Sequence, residues 1–143
     1  DDNKSLAHRI YPLKHEAIMK SMQFTTALAH PTVMVRASAV RAAGGYDPSF
    51  RYAEDLDLWL RMAKMGGRFA NLPDTLVRYR QNNVRRSSLH WRFNYKARKK
   101  NFSRSYLLIR SLGIAAIGIW SLVPPTVQEI VFYKLLLISR PKL

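Results

Sequence analysis

Cysteine is absent from the 143 residues, which excludes disulfides and thiolate metal sites and leaves the redox compartment open. The start lacks both an initiator methionine and a signal-like apolar stretch. It opens Asp1-Asp2-Asn3 and reads as a cut or processed point. No internal repeat is present. Acidic residues are scarce and unevenly placed: residues 1–80 carry 12 Lys/Arg against 8 Asp/Glu, and residues 81–143 carry 12 against one, Glu129. A cationic surplus confined to one end points to a polyanionic partner, either nucleic acid or an anionic membrane surface.

Periodicity and breakers divide what is there. Residues 14–28 place Ile18, Met22 and Phe24 or Thr25 near helical spacing, so a helix is expected. Thr32 to Arg36, short and β-branched after His30-Pro31, reads as a buried strand. Ala37 to Ala43 reads as a short helix stopped by Gly44-Gly45, and Glu54 to Met65 as a longer one ended by Gly66-Gly67. Phe69 to Leu72 and Thr75 to Tyr79 read as two short strands around Pro73-Asp74.

Glu54-Asp55-Leu56-Asp57 is the densest acidic patch of this basic chain and falls where a helix should begin. Carboxylates there can accept free backbone N–H groups and match the positive end of the helix dipole. A rigidly placed carboxylate can also be a general base that takes a proton from an acceptor hydroxyl. The two roles suit different members of one cluster. Trp59 lies beside the helical track and reads first as core. Arg61 can pair with Asp57 at i,i+4, and His30 can line a cleft or simply pack.

The stretch from His30 to Arg80, about 50 of the 143 residues, resembles the C-terminal part of the catalytic domain of family 2 glycosyltransferases. The resemblance rests on His30-Pro31, Gly44-Gly45-Tyr46-Asp47, Glu54-Asp55-Leu56-Asp57-Leu58-Trp59-Leu60-Arg61, Asn71-Leu72-Pro73 and the closing Tyr79-Arg80. It implies a GT-A fold and inverting transfer from a nucleotide-diphosphate sugar. Asp55, the second acid of the pair, is then the catalytic base and Glu54 the fallback. His30, Asp57, Trp59 and Arg61 are candidate substrate contacts. The family's Asp-x-Asp motif and nucleotide-binding units should lie upstream. The resemblance therefore implies a divalent cation (Mg or Mn) in a complete enzyme, with its ligands expected outside this chain. Asp1-Asp2 has no strand before it, and Gln81-Asn82-Asn83 stands where many relatives have a histidine.

From Arg85 to Arg104 basic residues alternate with Trp91, Phe93, Tyr95 and Phe102. Phosphate contact and base stacking would suit such a stretch. However, no nucleic-acid motif frames it, and the apolar run Tyr106 to Val123 follows, with Arg110 as its only charge. Polybasic residues beside an apolar segment suit a membrane interface better. At 18 residues the run approaches the length of a spanning helix, with Arg110 able to snorkel. Val127 to Ile138 is too short to span.

The expectation is thus an α/β fold: residues 1–84 as the acceptor-side half of a GT-A domain, 85–105 as a basic linker, and 106–143 as membrane-associated apolar helices. The denser basic flank on the N-terminal side would keep residues 1–105 cytoplasmic at a bacterial inner membrane. The expected partners are a nucleotide-sugar donor, a glycan or lipid-linked acceptor and an anionic membrane surface, without nucleic acid. The rivals are a non-enzymatic basic membrane-binding module and a nucleic-acid-binding protein.

Overall fold

The structure is a computed structural model that describes residues 9–79 and 88–131. Asp1-Asp2, residues 81–83 and 85–87, and the end of the second apolar run at 132–138 lie outside the described residues. Among the described residues six helices follow in order: α1 His15–Ser21, α2 Ala37–Ala42, α3 Glu54–Lys64, α4 Ser88–Lys100, α5 Leu107–Trp120 and α6 Pro125–Val131, with a 3-10 turn at His30–Thr32.

The α/β fold class is overturned, because no strand occurs among the described residues. The expected strand at Thr32 loses its first residue to the 3-10 turn, where Pro31 presets the backbone and Thr32 Oγ1 donates to Ala29 O at 2.8 Å. Val33 and Arg36 remain extended but unladdered. Residues 69–72 and 75–79 are likewise unladdered, and Asn71 N–H to Leu13 O at 3.1 Å ties that stretch to the start of the chain. β-branched residues favour extended backbone, but a strand needs a neighbour to exchange hydrogen bonds with.

The two Gly-Gly stops are both formed. Gly44 (φ 80°) and Gly66 (φ 82°) take the left-handed conformation that glycine adopts at little cost. Gly45 N–H then reaches Val40 O at 2.9 Å and Gly67 N–H reaches Met62 O at 3.0 Å, satisfying carbonyls of the last helical turns. The helix expected over residues 14–28 is shorter. It ends at Ser21, and the buried Gln23 side chain donates back to Met19 O at 2.7 Å.

Helix α3 is the centre of the packing. Leu58, Trp59 and Met62 face a cluster with Ile18, Met19, Met22, Ala27 and Leu28. Leu56 and Leu60 face another, with Phe50, Ala53 and Ala97. The second cluster brings in α4, which occupies most of the stretch read as a linker. Ala97 is fully buried there, and Phe93 packs edge-on against Phe50 with centroids 5.9 Å apart.

Helix α5 lies against α4 and the end of α1. A Cβ on Gly113 would sit 2.4 Å from Gln23 O, so the two backbones approach as closely as glycine permits. Trp120 meets Trp91 edge-on at 5.9 Å. Arg110 does not snorkel. It is 4% exposed and donates to Ser105 O at 2.7 Å and Asn101 O at 3.3 Å, closing the α4–α5 corner. Among the described residues no helix is long and apolar enough to cross a membrane. That finding overturns the expected span and with it the inner-membrane placement: the apolar run ends as a 14-residue helix, about 21 Å at 1.5 Å per residue, against a hydrocarbon core of about 30 Å.

Candidate functional site

The acids of α3 point to different environments because successive helical residues turn by about 100°. Asp57 faces inward and is completely buried. Its Oδ2 accepts from Arg61 Nε at 2.8 Å; its Oδ1 accepts from Asn101 Nδ2 at 2.8 Å and lies 3.1 Å from Lys100 Nζ. A buried carboxylate persists only when paired and hydrogen-bonded in this way. Arg61 carries the link onward, donating from its other nitrogens to Ala43 O and, at 2.7 Å, to Gly45 O. Asp57 and Arg61 thus fasten the Gly44-Gly45 reversal to α3.

Asp47, two residues after that reversal, accepts from Lys100 Nζ and from Ser49 N–H, at 2.7 and 2.8 Å. The lysine contact first, and the Ser49 N–H second, hold its carboxyl far below the usual carboxylate range. Burial opposes the charge on Lys100, but hydrogen bonds to Asp47 and Asp57 outweigh it and raise its pKa.

Asp55 faces the other way. Ala53, the residue before α3, is forced to φ 57° although it is not glycine. Such strain costs on the order of 1–3 kcal/mol and collects at functional sites. Two residues on, Asp55 Oδ1 accepts from Leu56 N–H at 2.7 Å, which fixes the carboxylate, and Oδ2 lies 3.9 Å from His30 Nδ1. The Asp55 side chain keeps 21% of its surface open and that of His30 40%. Glu54 is half-buried one position earlier.

His30 is held from two sides. Its Nε2 is 3.0 Å from Tyr46 Oη, and its ring stands edge-on to Trp59, centroids 6.2 Å apart. Trp59 is 3% exposed and packs in the core, with its indole N–H buried and without an acceptor among the described residues. Behind the cluster, Arg98 is pushed down to about 10 by burial, against the pull of Asp55, and so stays charged at neutral pH. It donates to Met22 O at 3.1 Å and Asn94 Oδ1 at 3.0 Å.

The structure therefore brings Asp55 and His30 together at one partly open place, with Glu54 beside them and the buried Trp59 against His30, and it encloses Asp57 and Arg61. Tyr46 was not singled out by the sequence reading; its position directly after Gly44-Gly45 was the available signal. No group of three His or acidic side chains among the described residues could hold a metal ion. Both oxygens of Asp57, two positions further along α3, are already taken. The arrangement does not fit a divalent cation.

No family model matches the chain, and no solved structure does. Curated proteins do match in part. An uncharacterized glycosyltransferase of Haemophilus influenzae is 37% identical over 81 residues, 57% of this chain and 29% of that protein. The similarity is to glycosyltransferases. The amylovoran biosynthesis glycosyltransferase AmsE of Erwinia amylovora is 36% identical over 69 residues, 48% of this chain and 26% of its own length. The putative glycosyltransferase EpsE of Bacillus subtilis is 43% identical over 58 residues, 39% of this chain and 21% of its own. The match thus spans less than a third of each of these relatives.

Proposed function

We propose that this chain is part of a family 2 glycosyltransferase in which Asp55 is the general base for inverting transfer of a sugar from a nucleotide-diphosphate donor. The acceptor is a cell-envelope polysaccharide or a lipid-linked glycan. The observation that carries the reading is the contrast within one helical turn: Asp57 is buried and saturated with partners, whereas Asp55 keeps Oδ2 at a partly open surface with Oδ1 held by backbone. A base must be held in place yet open to a hydroxyl, and of these two acids only Asp55 is both. Glu54 is the fallback base. His30 borders the place an acceptor hydroxyl would occupy, with the buried Trp59 edge-on behind it. The divalent cation of a complete enzyme would need ligands beyond the described residues, and no step here runs through it.

The test is Asp55→Asn in the full-length protein, with donor binding measured beside turnover. The amide keeps the shape but cannot take the proton, so turnover should fall by about 10²–10⁴ while donor affinity stays. Near-normal turnover would sink the assignment.

An anionic membrane surface is a further partner in this reading. Leu108, Leu112, Ile119 and Leu122 are 63–80% exposed along one face of α5 and its end, and Lys99 and Arg104 are exposed nearby. An apolar helix face edged by cations suits contact in the plane of the headgroups.

A further inference from the structure

The environment of His30 has one direction of hydrogen bonding that works and one that does not. Its Nε2 lies 3.0 Å from the Tyr46 hydroxyl, and its Nδ1 faces Asp55 Oδ2 at 3.9 Å. If Nε2 carried the proton, Nδ1 would turn a lone pair toward a carboxylate. If Tyr46 donates its O–H to Nε2, the proton sits on Nδ1 and the N–H faces Asp55. A neutral imidazole has one donor and one acceptor nitrogen, and the partner of one nitrogen decides the role of the other.

The backbone holds Tyr46 in place for this. It follows the left-handed pair Gly44-Gly45 (φ 80° and 68°), whose carbonyl side is gripped by Arg61, itself fixed by Asp57. The imidazole cannot turn freely, since Trp59 stands edge-on at 6.2 Å and the Tyr46 ring lies at 5.8 Å. Gly44-Gly45-Tyr46 and the inward pair Asp57–Arg61 thereby gain a purpose beyond chain reversal.

We infer that Tyr46 is a positioning residue: by donating to His30 Nε2 it keeps the Nδ1–H tautomer, and that N–H holds Asp55 Oδ2 in place for the incoming acceptor hydroxyl. At 3.9 Å the Nδ1–Asp55 contact is longer than a hydrogen bond, and it shortens as the acceptor seats, as catalytic contacts commonly do on substrate binding. No proton leaves the pair, and Tyr46 and His30 touch neither the anomeric carbon nor the leaving group. The inference rests on Asp55 as the base, but its first test does not.

That test is the ¹⁵N spectrum of the His30 ring in the chain itself at about pH 8.5, well above the ordinary imidazole pKa of about 6.5. The Nδ1–H tautomer should dominate, and Tyr46→Phe should shift the population to Nε2–H. Tyr46 is 49% exposed, so the change leaves the core intact, and an unaltered melting temperature verifies that. A dominant Nε2–H tautomer in the parent chain, or one unmoved by Tyr46→Phe, overturns the inference. In the full-length protein Tyr46→Phe should lower kcat about tenfold, the worth of one hydrogen bond, with KM little changed. His30→Gln, which still offers an N–H, should retain more activity than His30→Ala. Equal loss in both, or a change in KM alone, would contradict it. Failure of the Asp55→Asn test would instead remove the base assignment and leave the tautomer result standing.

Discussion

At the amino end of α3, charge is enclosed and matched: Asp57 is ringed by Arg61, Lys100 and Asn101, and Lys100 reaches on to Asp47. Along the α4–α5 hairpin the cations Arg92, Lys99 and Arg104 are exposed, and so are Leu108, Leu112 and Ile119 of α5. The difference follows from solvent. A buried ion costs several kcal/mol unless partners replace its water, so the interior of the first region accepts a carboxylate only with its partners in place. Exposed cations in the second keep their hydration and remain available to an anionic surface. Within the first region Asp55 is the exception, fixed by one backbone bond yet partly open.

The comparison breaks most sharply at the two aspartates. Asp57→Ala should cost on the order of 3–5 kcal/mol by leaving Arg61 and Lys100 without their shared carboxylate. Asp55→Asn should leave the denaturation midpoint almost unmoved while turnover collapses. Equal stability losses in urea melts would show that the two acids do the same job.

Next comes Gly113→Ala. The added Cβ would meet Gln23 O at 2.4 Å, a backbone atom with little room to yield, so α5 must shift. Overpacking of this kind costs about 1–3 kcal/mol, and thermal melts would read it. Gly44→Ala meets no atom within 4 Å and should lose only what its left-handed conformation costs, about 1–2 kcal/mol.

A smaller effect is expected on the hairpin. Lys99→Gln or Arg104→Gln should each weaken cosedimentation with vesicles containing anionic lipid by about 1 kcal/mol, and salt should reduce that contribution. Neither should change the melting temperature. Binding that survives both changes together with Leu112→Ser would remove this surface from the proposal.

The smallest effect is pH-dependent. The Asp47 pKa is depressed in the fold, so its contribution is present above the unfolded value of about 3.9 and is lost as pH falls through the lower folded one. The Lys100 pKa is raised, so its contribution is present below the unfolded value and is lost only as pH climbs through the folded one, on the alkaline side. Acid titration of stability below about pH 4 should therefore flatten in Lys100→Met, which removes the partner of Asp47. An unchanged acid limb would separate Asp47 from Lys100.

Helices α2 and α3 and their glycine stops were legible in the sequence because apolar spacing, caps and left-handed glycines act within a few residues of themselves. The meeting of His30 with Asp55 was not, since 25 positions separate them and only the resemblance placed them in one site. Helix α4 was hidden by its polarity. It docks through Phe93, Ala97 and Trp91, and its buried Arg98 donates both to Asn94 Oδ1 at 3.0 Å and to Met22 O at 3.1 Å.

The sequence by itself determined where helices begin and end around Glu54–Lys64, where the cations gather and that an acidic cluster opens a helix, because these depend on neighbours in the chain. The tertiary structure alone decided the roles within that cluster. Lys100 and Asn101, more than 40 positions away, close over Asp57, while His30 and Tyr46 come up to Asp55. Among the described residues it also decided against strands, since extended segments become a sheet only when another segment lies beside them. An aspartate's chemistry is set by what replaces its water, and that is a property of packing.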